Sequence, residues 1–143
     1  PYLESTSKLY DGGSGLVSNI DDYSKFAEML LNGGILDGVR VLSEASVNLM
    51  SRNHLSNEIL SDGASFGIDG VGFGLTMAVL MDAGISGTYS ADGEFSWGGA
   101  ASTIFWVDKK NNITATLMTQ YMPSDKYPLR EELKTLLYSG LSN

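Results

Sequence analysis

Acyl-transfer chemistry on a serine needs a hydroxyl held beside a base, and only a few places in this chain have letters that could supply it. Ser5-Thr6-Ser7-Lys8 has the Ser-x-x-Lys spacing that sets a lysine one helical turn beyond a serine. That chemistry requires the serine at the start of a buried helix, whereas the neighbours here are polar and a glycine turn follows at once, so the match reads as coincidence. His54 is the single histidine. No Gly-x-Ser-x-Gly elbow accompanies it, and it reads as a surface-loop residue rather than the base of a Ser-His-Asp triad. Metal chemistry has less still to use: cysteine is absent and Asp62, Asp69 and Asp92 are scattered loop carboxylates, so neither a metal nor a cofactor is expected. Gly12-Gly13-Ser14-Gly15 lacks the Lys-Ser/Thr that completes a phosphate loop. Trp97-Gly98-Gly99-Ala100, with Ser102 and Thr103 just beyond, reads on its own as a strand end and turn.

The elements that would position these residues follow from periodicity. Tyr10 to Leu16 is a glycine turn, after which Ser18 and Asp21 form a capping box for a helix carrying Ile20, Tyr23, Ala27, Leu30 and Leu31 until Asn32-Gly33-Gly34 stops it. Gly38 to Leu42 is a short link. Ser43 caps a second helix that ends near Arg52, with Leu42 and Val47 as its hydrophobic staple and Ser46-Val47-Asn48 inside it. Asn53 to Gly70 reads as a polar surface loop.

From Val71 to Met81 the period becomes two, with Val71, Phe73, Leu75, Met77, Val79 and Met81 on one face and Gly72, Gly74, Thr76 and Ala78 on the other. The small face would let a neighbouring segment, a helix or a ligand approach the backbone. Another strand runs from about Gly93 into Trp97, and Thr103–Val107 with Ile113–Thr119 makes a hairpin. Pro128 starts a last helix whose Leu129, Leu133, Leu136 and Leu137 form a stripe that must be covered. The expectation is an α+β layer arrangement, helices on a mainly antiparallel sheet.

Bulk composition narrows the partners. The length suits one domain, and 43% apolar residues suffice for a core. With 17 acidic residues against 9 basic ones and no basic cluster, nucleic acid is not an expected partner. No apolar run reaches the ~18 residues of a membrane span. The lack of cysteine leaves cytosol, periplasm and exterior open. The first residue is Pro1, which favours a start inside a longer gene.

Two stretches taken together carry a likeness. One is Gly12-Gly13-Ser14-Gly15-Leu16-Val17-Ser18-Asn19 followed by Asp21 through Gly34; the other is Gly72-Phe73-Gly74-Leu75, then Trp97-Gly98-Gly99-Ala100-Ala101-Ser102-Thr103, Phe105-Trp106-Val107-Asp108 and Met118-Thr119-Gln120. In order and spacing they resemble the β-lactamase-like serine hydrolases, the group of class C β-lactamases, D-alanyl-D-alanine peptidases and related esterases.

The resemblance implies that residues 1–143 are the C-terminal portion of such a domain, holding the last three sheet strands and the C-terminal helix. It would lack the N-terminal strands, the Ser-x-x-Lys nucleophile segment and the Tyr-x-Asn segment. It further implies that Ala100 N–H is an oxyanion-hole donor, that Trp97 walls an acyl pocket, and that Gly98 and Gly99 let substrate approach. Ser102 and Thr103 would offer hydroxyls there. A Trp-Gly-Gly triplet has neither charge nor hydroxyl for a substrate carboxylate and looks more like the esterase branch.

The expected substrate is therefore a small acyl compound, with the bare chain inactive. An exposed sheet edge would be covered by the missing N-terminal segment, a second copy or another polypeptide. The alternative is a catalytically silent ligand-binding or interaction module of the same fold.

Overall fold

A computed structural model describes residues 13, 16–61 and 68–141 of the chain. The Ser5-x-x-Lys8 match and most of the glycine turn before Leu16 lie outside them, as does Asp62. Helix α1 spans Ile20–Leu31. Its cap is Asn19 rather than the expected Ser18: the Asn19 side-chain oxygen accepts from Asp22 N at 2.9 Å, while its amide nitrogen reaches the Asp22 carboxylate at 2.8 Å. The helix stops as its glycines predict, with Gly33 N donating to Leu30 O and Gly34 N to Met29 O, the two bonds of a Schellman stop.

A small hairpin of β1 (Ile35–Leu36) and β2 (Val39–Arg40) follows where the sequence reading had only a link. Asp37 and Gly38 both take positive φ, which closes a two-residue turn with the twist that antiparallel strands need. Helix α2 spans Glu44–Met50 under a Ser43 cap, and a short α3, Asn57–Ser61, interrupts the expected loop. Val47 is fully buried, as its staple position requires.

The main sheet is an antiparallel meander of five strands in sequence order: β3 (Val71–Phe73), β4 (Ala78–Leu80), β5 (Phe95–Gly98), β6 (Ile104–Asp108) and β7 (Ile113–Leu117). The α+β class is the expected one, and the β6–β7 hairpin closes as read. The count of three strands is corrected to five. Residues 71–81, expected as one strand, fold back on themselves, with Gly72 opposite Val79 and Phe73 opposite Ala78.

The segment after α2 forces that reversal. Phe73 N donates to Asn53 Oδ1 and Leu75 N to Met50 O, so the chain is caught and turned. A Cβ on Gly74 would lie 2.0 Å from Met50 O, and one on Gly72 2.4 Å from Asn53 Oδ1. The small face thus does admit a neighbouring segment. A short α4, Ala83–Ser86, links β4 towards β5.

One face of the sheet carries the core. Val79, Phe95, Phe105 and Val107 pack with Met77 against Ala27, Leu30 and Val47 of the helices. Tyr23, Phe26 and Phe105 meet edge to face with centroids 5.4 to 5.8 Å apart.

The opposite face takes α5 (Leu129–Ser139), on which Leu129, Leu133 and Leu137 of the expected stripe are half-buried. Only Leu136 of the four stripe leucines is exposed, at 71%. The polar contacts to the sheet side come from Arg130, Lys134 and Tyr138, four apart along one side of the helix, a feature that the apolar stripe did not foretell. The physical reason lies in the sheet: Glu94 and Asp108 are both buried there, and a buried carboxylate must find donors. Lys134 Nζ meets Glu94 at 2.7 Å and Tyr138 donates to Asp108 at 2.7 Å.

Candidate active site

Beyond Ser96 the fifth strand outruns its neighbour. Strand β4 pairs with Phe95 and Ser96, while β6 pairs with all four residues from Phe95 to Gly98. Trp97 shares a face with Phe105 and therefore points to the α1 side, 41% exposed, its ring edge to face with Phe73 at 5.3 Å. Gly98, opposite Ile104, turns its bare side to α5.

The strand then enters a three-residue loop, Ala100-Ala101-Ser102, closed by Ser102 N to Gly99 O at 3.2 Å and Gly99 N to Thr103 O at 3.0 Å. This pattern requires a left-handed residue in its last position, and Ser102 takes it with φ 64°. Serine tolerates the conformation because it is tied down: its Oγ donates to Tyr121 O at 2.7 Å, and Tyr121 N and the Thr119 hydroxyl both donate to Ala101 O. Ser102 is 2% exposed. Its hydroxyl locks the turn rather than facing a groove, which departs from the substrate contact expected of it.

From the other side Arg130 Nη2 donates to the carbonyls of Gly99 at 2.8 Å and Thr103 at 3.0 Å. The loop is gripped on two flanks. Ala100 itself is exposed, and its N–H makes no hydrogen bond to any described residue.

A groove of about 620 Å³ opens beside this turn, lined in part by Tyr23, Trp97, Gly98, Gly99, Thr103 and Gln120. Trp97, Gly98 and Gly99 thus line one groove; Ala100 follows them in the chain without being among its lining residues, and its N–H is unbonded among the described residues. Such a donor is suited to an oxygen that gains negative charge. Tyr23, read from sequence only as an apolar helix position, also lines the groove; burial raises its phenol above the ordinary range and keeps it a neutral donor.

A smaller cavity of about 260 Å³ lies on the far face, under α5, with Trp106, Arg130 and Lys134 in its wall. His54 is engaged structurally, its ring Nε2 2.8 Å from Leu49 O and its backbone N–H donating to Phe73 O. No cluster of three or more potential metal ligands occurs among the described residues, and Asp92 accepts from Ala83 N at the start of α4, whose N-cap is Asp82. Among the described residues, no helix is long and apolar enough to cross a membrane.

A family model described as Beta-lactamase matches residues 1–138. Two curated Mycobacterium tuberculosis proteins, Uncharacterized protein MT1414 (strain CDC 1551 / Oshkosh) and Protein Rv1367c (strain ATCC 25618 / H37Rv), are each 39% identical over 119 residues. The match takes in 79% of this chain and 29% of each relative, so the chain spans less than a third of their length. Among solved structures, EstCE1, described as a hydrolase with promiscuous acyltransferase activity, superposes with TM-score 0.78 at 24% identity, over 96% of this chain and 34% of its own. Unliganded simvastatin synthase (LovD) from Aspergillus terreus gives TM-score 0.69 at 22% identity, over 90% of this chain and 36% of its own. At those identities the two structures speak for a shared fold.

Proposed function

The chain belongs to the Beta-lactamase family, and on that premise we propose that it is the C-terminal portion of a serine hydrolase of that family, one that handles small acyl esters in preference to β-lactams. The family and its hydrolase and acyltransferase structural neighbours support a serine-hydrolase type of fold.

In the proposed reaction a serine on a segment outside these residues attacks the carbonyl carbon, and a lysine and tyrosine of the same upstream region take its proton and pass it to the leaving alcohol. The carbonyl oxygen becomes an oxyanion between the nucleophile's own N–H and that of Ala100. Water then attacks the acyl-enzyme, the serine recovers its proton, and the acid leaves. Trp97, seated against Phe73, walls the acyl side, and Gly98 and Gly99 lie along the substrate's path. Strand β7, at the end of the meander, offers its outer edge to a further segment of the parent polypeptide or a second copy.

The observation that carries this reading is that Ala100, an exposed residue on a turn gripped from both flanks, has an N–H with no bond to any described residue. The esterase preference rests on the absence of charge and hydroxyl in Trp97-Gly98-Gly99.

The test is turnover of a nitrophenyl ester and a chromogenic cephalosporin by the parent polypeptide. Ester hydrolysis that exceeds cephalosporin hydrolysis is expected, and Ala100→Pro should lower kcat by about 100-fold or more, the usual cost of one oxyanion donor. No turnover of either compound, with ligand binding indifferent to Ala100→Pro, would leave the silent binding module as the surviving account.

A further inference from the structure

We infer that Arg130, on the last helix, is a positioning residue for the backbone donor of Ala100; the inference rests on the oxyanion reading above. The Gly99 carbonyl and the Ala100 N–H are the two ends of one peptide unit. That unit is trans, the single cis bond among the described residues being Met122-Pro123. In a planar trans peptide the C=O and N–H point in opposite directions. By holding the Gly99 oxygen towards α5 at 2.8 Å, Arg130 aims the Ala100 hydrogen away from α5. Its second bond, to Thr103 O at 3.0 Å, ties the other strand of the hairpin to the same nitrogen and adds to the bond that the Gly99 oxygen accepts from Ser102 N at 3.2 Å.

The contact also acts electronically. A cation drawing density from the Gly99 oxygen polarises the whole amide, and the N–H at its far end becomes a stronger donor. An arginine spent in this way should have no carboxylate of its own, and among the described residues Arg130 has none within ion-pair distance. Its Nε is buried without a partner, a cost that the bonds to the turn must outweigh.

Gly98 acquires a reason from the same contact. A Cβ at that position would lie 2.8 Å from Arg130 Nη2 and 2.9 Å from its Cζ. The glycine makes room for the guanidinium on the α5 side, whereas Trp97, one residue earlier, faces the opposite side of the sheet. Two neighbouring letters of the triplet therefore serve different partners.

The test begins on the chain itself, where no activity is needed. In Arg130→Met the backbone order parameter at Ala100 and Ala101, measured by 15N relaxation, should fall from the rigid value of about 0.85 towards 0.6. The Ala100 amide proton should shift upfield, and the Phe95 and Val107 amides should keep their exchange protection. Arg130→Lys should recover part of both signals. If the methionine variant does not fold, Arg130→Gln takes its place with the same expectation. An Ala100 amide of unchanged order and shift in a folded variant overturns the inference.

In the parent polypeptide, Arg130→Met should lower kcat by about 10-fold and leave KM within about twofold, because an interaction made mainly in the transition state is weakened. A large effect of Ala100→Pro with none from Arg130→Met would refute the positioning role and leave the donor standing. No effect from either would remove the donor reading and this inference with it.

Discussion

Strand β6 enters and leaves through turns that are anchored by opposite charges. At its start, the cationic Arg130 takes the carbonyls of Gly99 and Thr103, and the N–H of Ala100 is left over. At its end, the fully buried Asp108 takes N–H and O–H groups: Ala91 N, Asn111 N and Nδ2, and the Tyr138 hydroxyl. A cation consumes acceptors and leaves donors; an anion consumes donors and leaves acceptors. The sign of the buried anchor thus decides what a turn can offer a ligand, and only the cation-anchored turn is fit to receive a developing oxyanion. The same helix serves both, since Arg130 and Tyr138 are eight residues apart on α5, about 12 Å along its axis.

If that contrast is right, the two anchors should separate stability from activity. The largest loss of stability is expected at the anionic end: Asp108→Ala orphans several donors at once and should cost about 3 kcal/mol or more, roughly 10 °C in Tm by calorimetry. Arg130→Met should cost less in Tm and more in kcat. Equal rankings in both measurements would break the comparison.

Acid should also divide the turns. Burial pushes the Asp108 carboxyl up, but the hydrogen bonds from Tyr138, Asn111 and Ala91 outweigh it, and its folded pKa lies below the ordinary value. A depressed carboxylate contributes stability that is fully present above the unfolded pKa of about 3.9 and is lost as pH falls through the lower folded value. Arginine does not titrate in that range. Urea melts at pH 7, 5 and 3 should show a decline between the last two that Asp108→Asn flattens, and Asn111 should lose amide protection in acid before Gly99 does.

Smaller effects sharpen the picture. Tyr138→Phe removes one donor to a charged acceptor and should cost about 1.5 kcal/mol. Ser102→Ala loses the bond to Tyr121 and should cost about 1 kcal/mol, whereas Ser102→Gly loses the same bond but gains the left-handed freedom that φ 64° demands, so chemical denaturation should find it nearer neutral.

Much of this was legible in the residues, for identifiable reasons. Both long helices, the Ser43 cap, the Gly33-Gly34 stop and the β6–β7 hairpin depend on neighbours a few positions apart, and local chemistry decides them. The hairpin within 71–81 was hidden because apolar residues kept alternating through the turn, while the cause of the reversal sat at Met50 and Asn53. Asp37-Gly38 was a turn signal in plain view. The polar docking contacts of α5 could not be read from its leucines, since their partners are Gly99, Glu94 and Asp108, some 30 to 40 positions away. For the candidate site, the Trp-Gly-Gly triplet marked the place, but Arg130, Tyr23 and the inward role of Ser102 needed the fold.

The atom proposed to act at position 100 belongs to the main chain, so under that proposal selection has little hold on the side chain there. Ala100 is free to drift among residues that keep a hydrogen on nitrogen, while 98 and 130 are constrained by each other. On the proposed oxyanion role, catalytically competent descendants should scatter at position 100 and stay fixed at 98 and 130.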